Sequence, residues 1–162
     1  MVSGATMTAV FGITTRFKAQ PFEGESSLGR RVRLEDYRGK YLVLYFYPKS
    51  FTPGCTYETV LFRDHYDELT ALGAEVLGIS RDSLDTQCKF AAKHEVRFPM
   101  VSDPDGRICK AYAVDRRVWP VAQRVTFLID RQGYVIGRFS HALRISMHVS
   151  DVLSALRSIE GR

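Results

Sequence analysis

Residues 41–64, YLVLYFYPKSFTPGCTYETVLFRD, decide the fold of this chain. The run 41–47 is apolar, shows no polar alternation and is rich in aromatic residues, which is typical of a strand buried on both faces of a sheet. Pro48 ends that strand. Apolar residues then recur at near-helical spacing with charges on the other faces, so a helix is predicted to begin close to Cys55.

Cys55 lies at the predicted start of a helix, where its thiol is expected to be reactive. A thiol at a helix N-terminus faces unpaired main-chain N–H groups and the positive end of the helix dipole, and both favour the nucleophilic thiolate. The alternative is a buried and inert residue, since free cysteine is among the most buried residue types. Reactive groups are often presented by a turn between a strand and a helix. We therefore predict that Cys55 is the functional centre.

Length and composition favour a single domain, 1–162, that associates with neither membrane nor nucleic acid. Of the 162 residues, 45% are hydrophobic and 25% are charged, as in ordinary globular proteins. No run approaches the roughly 18 apolar residues of a membrane helix, and the N-terminus shows no secretory pattern, so a cytoplasmic location is expected. The net charge is +5, and the basic clusters, such as 30–33 and 116–117, are small and typical of a solvated surface.

The two ends of the chain are not used in the functional interpretation. Residues 1–12 show no clear periodicity, and a second methionine at Met7 indicates a six-residue leader. Residues 159–162, IEGR, spell a protease recognition sequence that is used to remove tags. We expect both segments to be disordered or to derive from an expression tag.

The three cysteines and four histidines predict no metal site and no other cofactor. Cys55, Cys88 and Cys109 form no CxxC pair, and the histidines have no ligand spacing with them. An odd number of scattered cysteines in a chain without a secretion signal indicates redox chemistry or core packing.

The remaining pattern predicts an α/β domain whose central mixed sheet is flanked by helices. The predicted elements are an N-terminal hairpin in 17–34, a turn at 35–40, a strand at 75–80, a helix at 84–94, an extended segment at 98–101, a short helix at 107–113, a hairpin formed by 124–129 and 134–139, and a closing helix at 149–159. The strands at 41–47 and 75–80 are joined by a helix, so we expect them to be parallel.

The run 48–55, PKSFTPGC, resembles the peroxiredoxin signature Pro-x-x-x-Thr-x-x-Cys. TPGCTYE followed by FRD is similar to the subfamily called bacterioferritin comigratory protein or peroxiredoxin Q. Further similar blocks are LGISRDS, FPMVSDPDG, ICKAYAV and RVTFLID, so the resemblance covers most of 32–137. It implies a thioredoxin-like fold and reduction of hydrogen peroxide and alkyl hydroperoxides. It also implies thioredoxin or a similar dithiol as reductant and, as is common in this subfamily, a monomer.

The resemblance assigns roles around one sulfur atom. Cys55 becomes the peroxidatic nucleophile, and the Thr52 hydroxyl is expected to hydrogen-bond both the thiolate and the peroxide. Arg124 would place a permanent guanidinium beside the sulfur, and Pro48 would shape and shield the pocket. Glu58 is expected to orient the arginine. Taken singly, these residues also suit a helix cap, a strand end or a charged surface, but peroxide reduction needs all of these residue types together.

The second cysteine of the reaction is less clearly marked. Many members of the subfamily carry a resolving cysteine five residues after the first, and Val60 occupies that position here. Other members carry it on the helix after the next strand, where Cys88 lies about one turn before the expected position. The resemblance thus favours a Cys55–Cys88 disulfide that thioredoxin reduces. The alternatives are Cys88 as a core residue, Cys109 as the resolving thiol, and a one-cysteine mechanism with an external thiol. The apolar face of the helix predicted at 107–113 is expected to bury Cys109, which makes it the weaker candidate.

Three other functions use a similar cysteine. A thioredoxin-like disulfide exchanger needs a second cysteine close to Cys55, which the sequence CTYET lacks. A copper-delivery protein of this fold would need a cysteine where Thr59 stands, together with a histidine ligand. A peroxide sensor or chaperone would use the same single cysteine, and it differs from an enzyme because it reacts only once.

Overall fold

The computed structural model describes residues 10–116, 119–141 and 144–160. In chain order the elements are β1 (Phe17–Lys18), β2 (Glu23–Glu25), β3 (Arg31–Arg33), a 3₁₀ helix (Leu34–Tyr37), β4 (Tyr41–Phe46), α1 (Pro53–Asp64), α2 (Tyr66–Ala71), β5 (Ala74–Ser80), α3 (Leu84–Lys93), β6 (Met100–Ser102), α4 (Arg107–Ala111), β7 (Val125–Ile129), β8 (Tyr134–Phe139) and α5 (Ser146–Glu160).

The strands form a six-stranded sheet in the order β1-β8-β7-β4-β5-β6. The pairs β4–β5 and β5–β6 are parallel, whereas β4–β7, β7–β8 and β1–β8 are antiparallel. The predicted mixed sheet and its β7–β8 hairpin are therefore confirmed. An N-terminal hairpin is also present, but it is made of β2 and β3 alone, and β1 pairs with β8 at the edge of the main sheet. The segment predicted as a turn, 35–40, begins within the 3₁₀ helix.

The central strand β4 is covered on both faces, which explains its unbroken apolar sequence. Side chains alternate between the faces of a strand. Val43 and Tyr45 pack in one cluster with residues of α1, α3 and α5. Leu44 and Phe46 pack on the opposite face, in a second cluster with residues of α4 and β7. Each such buried side chain contributes about 1.5–3 kcal/mol to folding, so β4 anchors both halves of the core.

The boundaries of the folded part differ from the expected ones. Phe11 belongs to the fold, because its main chain accepts a hydrogen bond from Arg138 and donates one of 2.8 Å to Ile136. At the other end, α5 continues to Glu160. The remainder of the expected terminal segments, 1–9 and 161–162, lies outside the described residues. Among the helices described, none combines the length and the apolar character needed to cross a membrane.

Candidate active site

Cys55 is the third residue of α1, directly after the turn that leaves β4. The helix begins there because Thr52 has the extended conformation of an N-cap residue and Pro53 occupies the first helical position, where its missing N–H costs nothing. The Cys55 side chain is fully buried. Its Sγ accepts a hydrogen bond from Nη2 of Arg124 over 3.4 Å. The predicted position of the thiol at a helix N-terminus is confirmed.

Arg124 reaches the sulfur because of sheet pairing and a glycine. It precedes Val125, which pairs with Phe46 at the end of β4, so the arginine lies beside the turn that carries Cys55. A Cβ atom on Gly54 would lie 3.1 Å from Arg124 Nη2 and 3.0 Å from Ile145 Cδ1. Glycine at position 54 therefore leaves the space through which the guanidinium approaches the thiol.

Glu58 lies one turn after Cys55 on α1 and is fully buried. Its Oε1 accepts a hydrogen bond of 2.7 Å from Arg124 Nη1, so one guanidinium bridges the thiol and the carboxyl group. Burial raises the pKa of Glu58 to about 7, although the Arg124 charge opposes the rise. Burial alone would lower the pKa of Arg124, but Glu58 and Cys55 together hold it above its usual value. The arginine therefore remains charged.

His148, on α5, lies behind Glu58 and is also fully buried. Its Nδ1 is 3.6 Å from Glu58 Oε2 and 2.7 Å from Thr126 Oγ1. Its Nε2 is 3.1 Å from the carbonyl oxygen of His141. Burial lowers the pKa of His148 to about 4, so the ring is neutral near pH 7. The sequence predicts no role for His148, because its spacing is not that of a metal ligand. The sequence signal that could have identified His148 is a polar side chain next to Val149, on the apolar face of the closing helix.

Thr52 and Pro48 lie at the two ends of the turn before Cys55. The Thr52 hydroxyl donates a hydrogen bond of 2.7 Å to the carbonyl oxygen of Lys49, so in this structure its hydrogen is not directed at the sulfur. Pro48 is half-buried immediately after β4. Between them Phe51 has a left-handed backbone (φ 66°), which is uncommon for a residue other than glycine.

The same turn is hydrogen-bonded to the region around α3. The Ser50 main-chain N–H donates to Asp82 Oδ2 over 2.8 Å, and its hydroxyl donates to Gln87 Oε1 over 3.2 Å. The Tyr47 hydroxyl donates to the same Gln87 oxygen. Gln87 is a buried residue of α3, one position before Cys88. This polar network, which the sequence did not indicate, connects the turn before Cys55 to the helix that carries Cys88.

The other two cysteines have opposite environments, and all three thiols are free. Cys88 is exposed, as is Leu84 one turn earlier on α3, so the alternative that Cys88 is a core residue is wrong. Cys109 is fully buried, as its predicted helix face indicated, and its main-chain N–H donates to Asp103 Oδ2. Burial, reinforced by the Asp103 charge, raises the pKa of the Cys109 thiol well above its usual value. The Cys88 thiol is therefore far more accessible to solvent than the Cys109 thiol.

A buried thiol at a helix N-terminus, in contact with a charged guanidinium, is suited to react as a thiolate nucleophile, which is what a thiol-based peroxidase needs. Comparison with known proteins agrees with this class. The model of the AhpC/TSA family matches residues 16–138. Peroxiredoxin Bcp of Bacillus subtilis is 36% identical over 148 residues, covering 88% of this chain and 94% of that protein. Chloroplastic peroxiredoxin Q of Sedum lineare is 34% identical over 141 residues, covering 86% of this chain and 76% of that protein.

Solved structures show the same relationship. Peroxidoxin BcpB from Mycobacterium tuberculosis superposes with a TM-score of 0.83 at 31% identity, covering 94% of this chain and 99% of that one. The bacterioferritin comigratory protein of Xanthomonas campestris, described for its alkyl peroxide reduction activity, superposes with a TM-score of 0.78 at 34% identity. The match covers 85% of this chain and 91% of that one. The chain belongs to the AhpC/TSA family, as a peroxiredoxin of the bacterioferritin comigratory protein or peroxiredoxin Q kind. It is an enzyme with a thioredoxin-like fold that reduces peroxides at the expense of a thiol reductant.

Proposed function

We propose that Cys55 is the nucleophile of this peroxidase and that Cys88 resolves the oxidised form. The observation that carries the proposal is the Arg124 guanidinium, which contacts Cys55 Sγ at 3.4 Å inside a fully buried site. A fixed positive charge at this place stabilises the thiolate, which is the attacking form of the thiol.

The proposed chemical step forms one bond and breaks another. The Cys55 thiolate attacks the terminal oxygen of a hydroperoxide, the S–O bond forms and the O–O bond breaks. The cysteine becomes a sulfenic acid, and the leaving oxygen takes a proton from solvent and departs as water or an alcohol. Arg124 lies where it can stabilise the negative charge that moves from sulfur to the leaving oxygen.

Thr52 and Pro48 are assigned the positioning of the peroxide. Because the Thr52 hydroxyl donates to the Lys49 carbonyl, its lone pairs are available to accept a hydrogen bond from the peroxide O–H group. Pro48, half-buried where β4 ends, supplies a wall of the pocket that has no N–H group to compete for the peroxide.

In the resolving step, the Cys88 thiol condenses with the Cys55 sulfenic acid, and a disulfide and one water molecule are formed. The exposure of Cys88 supports this role, since a disulfide at that position is open to attack by a dithiol. Cys55 is buried and must leave its site first, so the first turn of α1 unwinds and the bonds of Ser50 to Asp82 and Gln87 break. Faster hydrogen exchange over 52–62 after oxidation is expected, and unchanged exchange would contradict this step.

The reductant, assembly and location complete the proposal. Thioredoxin or a similar dithiol protein recycles the disulfide, and the enzyme acts as a monomeric single domain in the cytoplasm, with no nucleic-acid or membrane partner. The family relationship supports the dithiol reductant. Sedimentation velocity tests the assembly, and a dimer at micromolar concentration would contradict it.

Turnover with thioredoxin, its reductase and NADPH tests the proposed function. We expect Cys55→Ser to abolish peroxide consumption, and Cys88→Ser to react once and then stop. Cys109→Ala is the matched control for loss of a thiol, and we expect it to retain wild-type turnover. A wild-type protein that consumes a single equivalent of peroxide would support the sensor alternative instead.

A further inference from the structure

One oxygen of the Glu58 carboxyl group lacks a hydrogen-bond partner. Glu58 Oε2 is buried and unpaired within the described residues, whereas Oε1 is bonded to Arg124. His148 Nδ1 lies 3.6 Å from this oxygen, which is too far for a hydrogen bond but close enough for an electrostatic interaction in a buried site. We propose that His148 is a positioning residue that supports Glu58 in both of its charge states and so keeps Arg124 against the Cys55 sulfur.

The surroundings of His148 allow either neutral form of its ring. Nε2 lies 3.1 Å from the carbonyl oxygen of His141 and 3.2 Å from the main-chain nitrogen of the same residue. Nε2 can therefore donate to the carbonyl or accept from the N–H. The Thr126 hydroxyl, 2.7 Å from Nδ1, can likewise donate or accept. Neither contact fixes the tautomer, so the charge on Glu58 can determine it.

Each charge state of Glu58 selects one tautomer. An ionised carboxylate favours a proton on Nδ1, because that N–H group, which donates to Thr126 Oγ1, brings partial positive charge close to the negative oxygen. A protonated carboxyl group, with its hydrogen on Oε2, favours an unprotonated Nδ1 and a proton on Nε2. His148 remains neutral throughout, and the proton that Glu58 gains or loses is exchanged with solvent.

The catalytic cycle requires both charge states of Glu58. This inference therefore rests on the proposed role of Cys55. Arg124 contacts both Cys55 and Glu58. While Cys55 is a thiolate, two anions would share one guanidinium, and the protonated form of Glu58 is favoured. Once the sulfur is a neutral sulfenic acid, the carboxylate is the remaining partner of Arg124. A carboxyl group that kept its orientation in both states would hold the arginine in place through the cycle.

Groups from α1, β4, α5 and the residue before β7 face this pair. Glu58 faces Cys55 on its own helix, Arg124 before β7, Tyr45 from β4 and His148 from α5. Tyr45 is fully buried, and its pKa is raised well above the usual value, chiefly by burial, so it remains neutral. The groups around His148 are Thr126, His141, Asp151 and Arg124, with Asp151 hydrogen-bonded to the His141 ring at 2.7 Å.

Nitrogen-15 NMR of the histidine rings tests the proposal without any turnover. Spectra are compared at about pH 5 and about pH 9, on either side of the Glu58 pKa of about 7. We expect the His148 proton to be on Nε2 at the lower pH and on Nδ1 at the higher pH, and to be insensitive to pH in Glu58→Gln. In Cys55→Ser the change should occur at lower pH, because Arg124 then faces one anion. A single tautomer throughout, or a change that persists in Glu58→Gln, would overturn the proposal.

Kinetics of Cys55 oxidation provide the second readout. We expect His148→Phe, which keeps an aromatic ring but removes both nitrogens, to slow the reaction with peroxide about tenfold through displacement of Arg124. His65→Gln, a half-exposed histidine between α1 and α2, is the control and should react at the wild-type rate. A wild-type rate in folded His148→Phe would contradict the positioning role. Failure of the proposed function would instead appear in the wild-type protein, as oxidation at a residue other than Cys55.

Discussion

The buried pair of Glu58 and His148 should leave a clear signature in the pH dependence of stability. The pKa of Glu58 is raised from 4.5 to about 7, so within this interval the folded protein binds more protons than the unfolded chain. Stability therefore falls as pH rises through the interval. At about 1.4 kcal/mol per pH unit, the full effect is about 3 kcal/mol.

The contribution of His148 has the opposite sign. Its pKa is lowered from 6.5 to about 4, so between these values the unfolded chain binds more protons than the folded protein. Stability then rises with pH, again by about 3 kcal/mol over the interval. Between about pH 4.5 and about pH 6.5 the two slopes oppose each other, so their sum in the wild-type protein is close to zero.

Two substitutions separate the slopes. In Glu58→Gln the His148 term remains, and we expect the free energy of unfolding to rise with pH between about 4.5 and 6.5, relative to wild type. In His148→Phe the contribution of Glu58 remains, and we expect the free energy of unfolding to fall as pH rises over the same interval, relative to wild type. The assay is urea unfolding of the reduced protein at several pH values, followed by circular dichroism. Glu35→Gln, at an exposed carboxylate, is the control. If the free energy of unfolding of both variants changed with pH as it does in the wild type, the reasoning would be refuted.

Three further predictions concern the site and the core. Gly54→Ala should slow the reaction with peroxide about tenfold in stopped-flow measurements, because the added Cβ would lie 3.1 Å from Arg124 Nη2; a wild-type rate would contradict this. Ser50→Ala should speed formation of the intramolecular disulfide up to about fivefold, because loss of the bond to Gln87 costs the closed turn about 1 kcal/mol; a slower or unchanged rate would count against unwinding of this turn. Leu44→Ala should lower the free energy of unfolding in urea by about 2–5 kcal/mol, and a loss below about 1 kcal/mol would show that the core on this face is poorly packed.

The sequence was sufficient for the parts of the fold that depend on local pattern. The strand β4 is recognisable because burial on both faces removes polar alternation, and α1 is recognisable because Pro53 and the apolar spacing mark its start. The burial of Cys109 followed from the apolar face of its own helix. By contrast, β1 has two residues, which is too short to show any pattern, so its pairing with β8 could not be predicted.

The contacts missed by the sequence interpretation join side chains that are far apart in the chain. His148 meets Glu58 only because α5 packs against α1. Gln87 reaches Ser50 only because α3 lies beside the turn after β4. The exposure of Cys88 likewise depends on how α3 sits on the sheet, and apolar neighbours in the sequence do not determine it. Hydrogen bonds of this kind follow from tertiary packing and leave no periodic signal.

The central claim is that Cys55 reacts with peroxide and Cys88 resolves the product. The most direct test is intact mass with non-reducing peptide mapping after one equivalent of hydrogen peroxide, on wild type and on Cys88→Ser. The account predicts a loss of two hydrogens in the wild type, with a linked Cys55–Cys88 peptide that is absent from the variant. A wild-type protein that gains one oxygen on Cys55 and forms no linked peptide would contradict the role of Cys88, and an unmodified Cys55 would contradict the whole account.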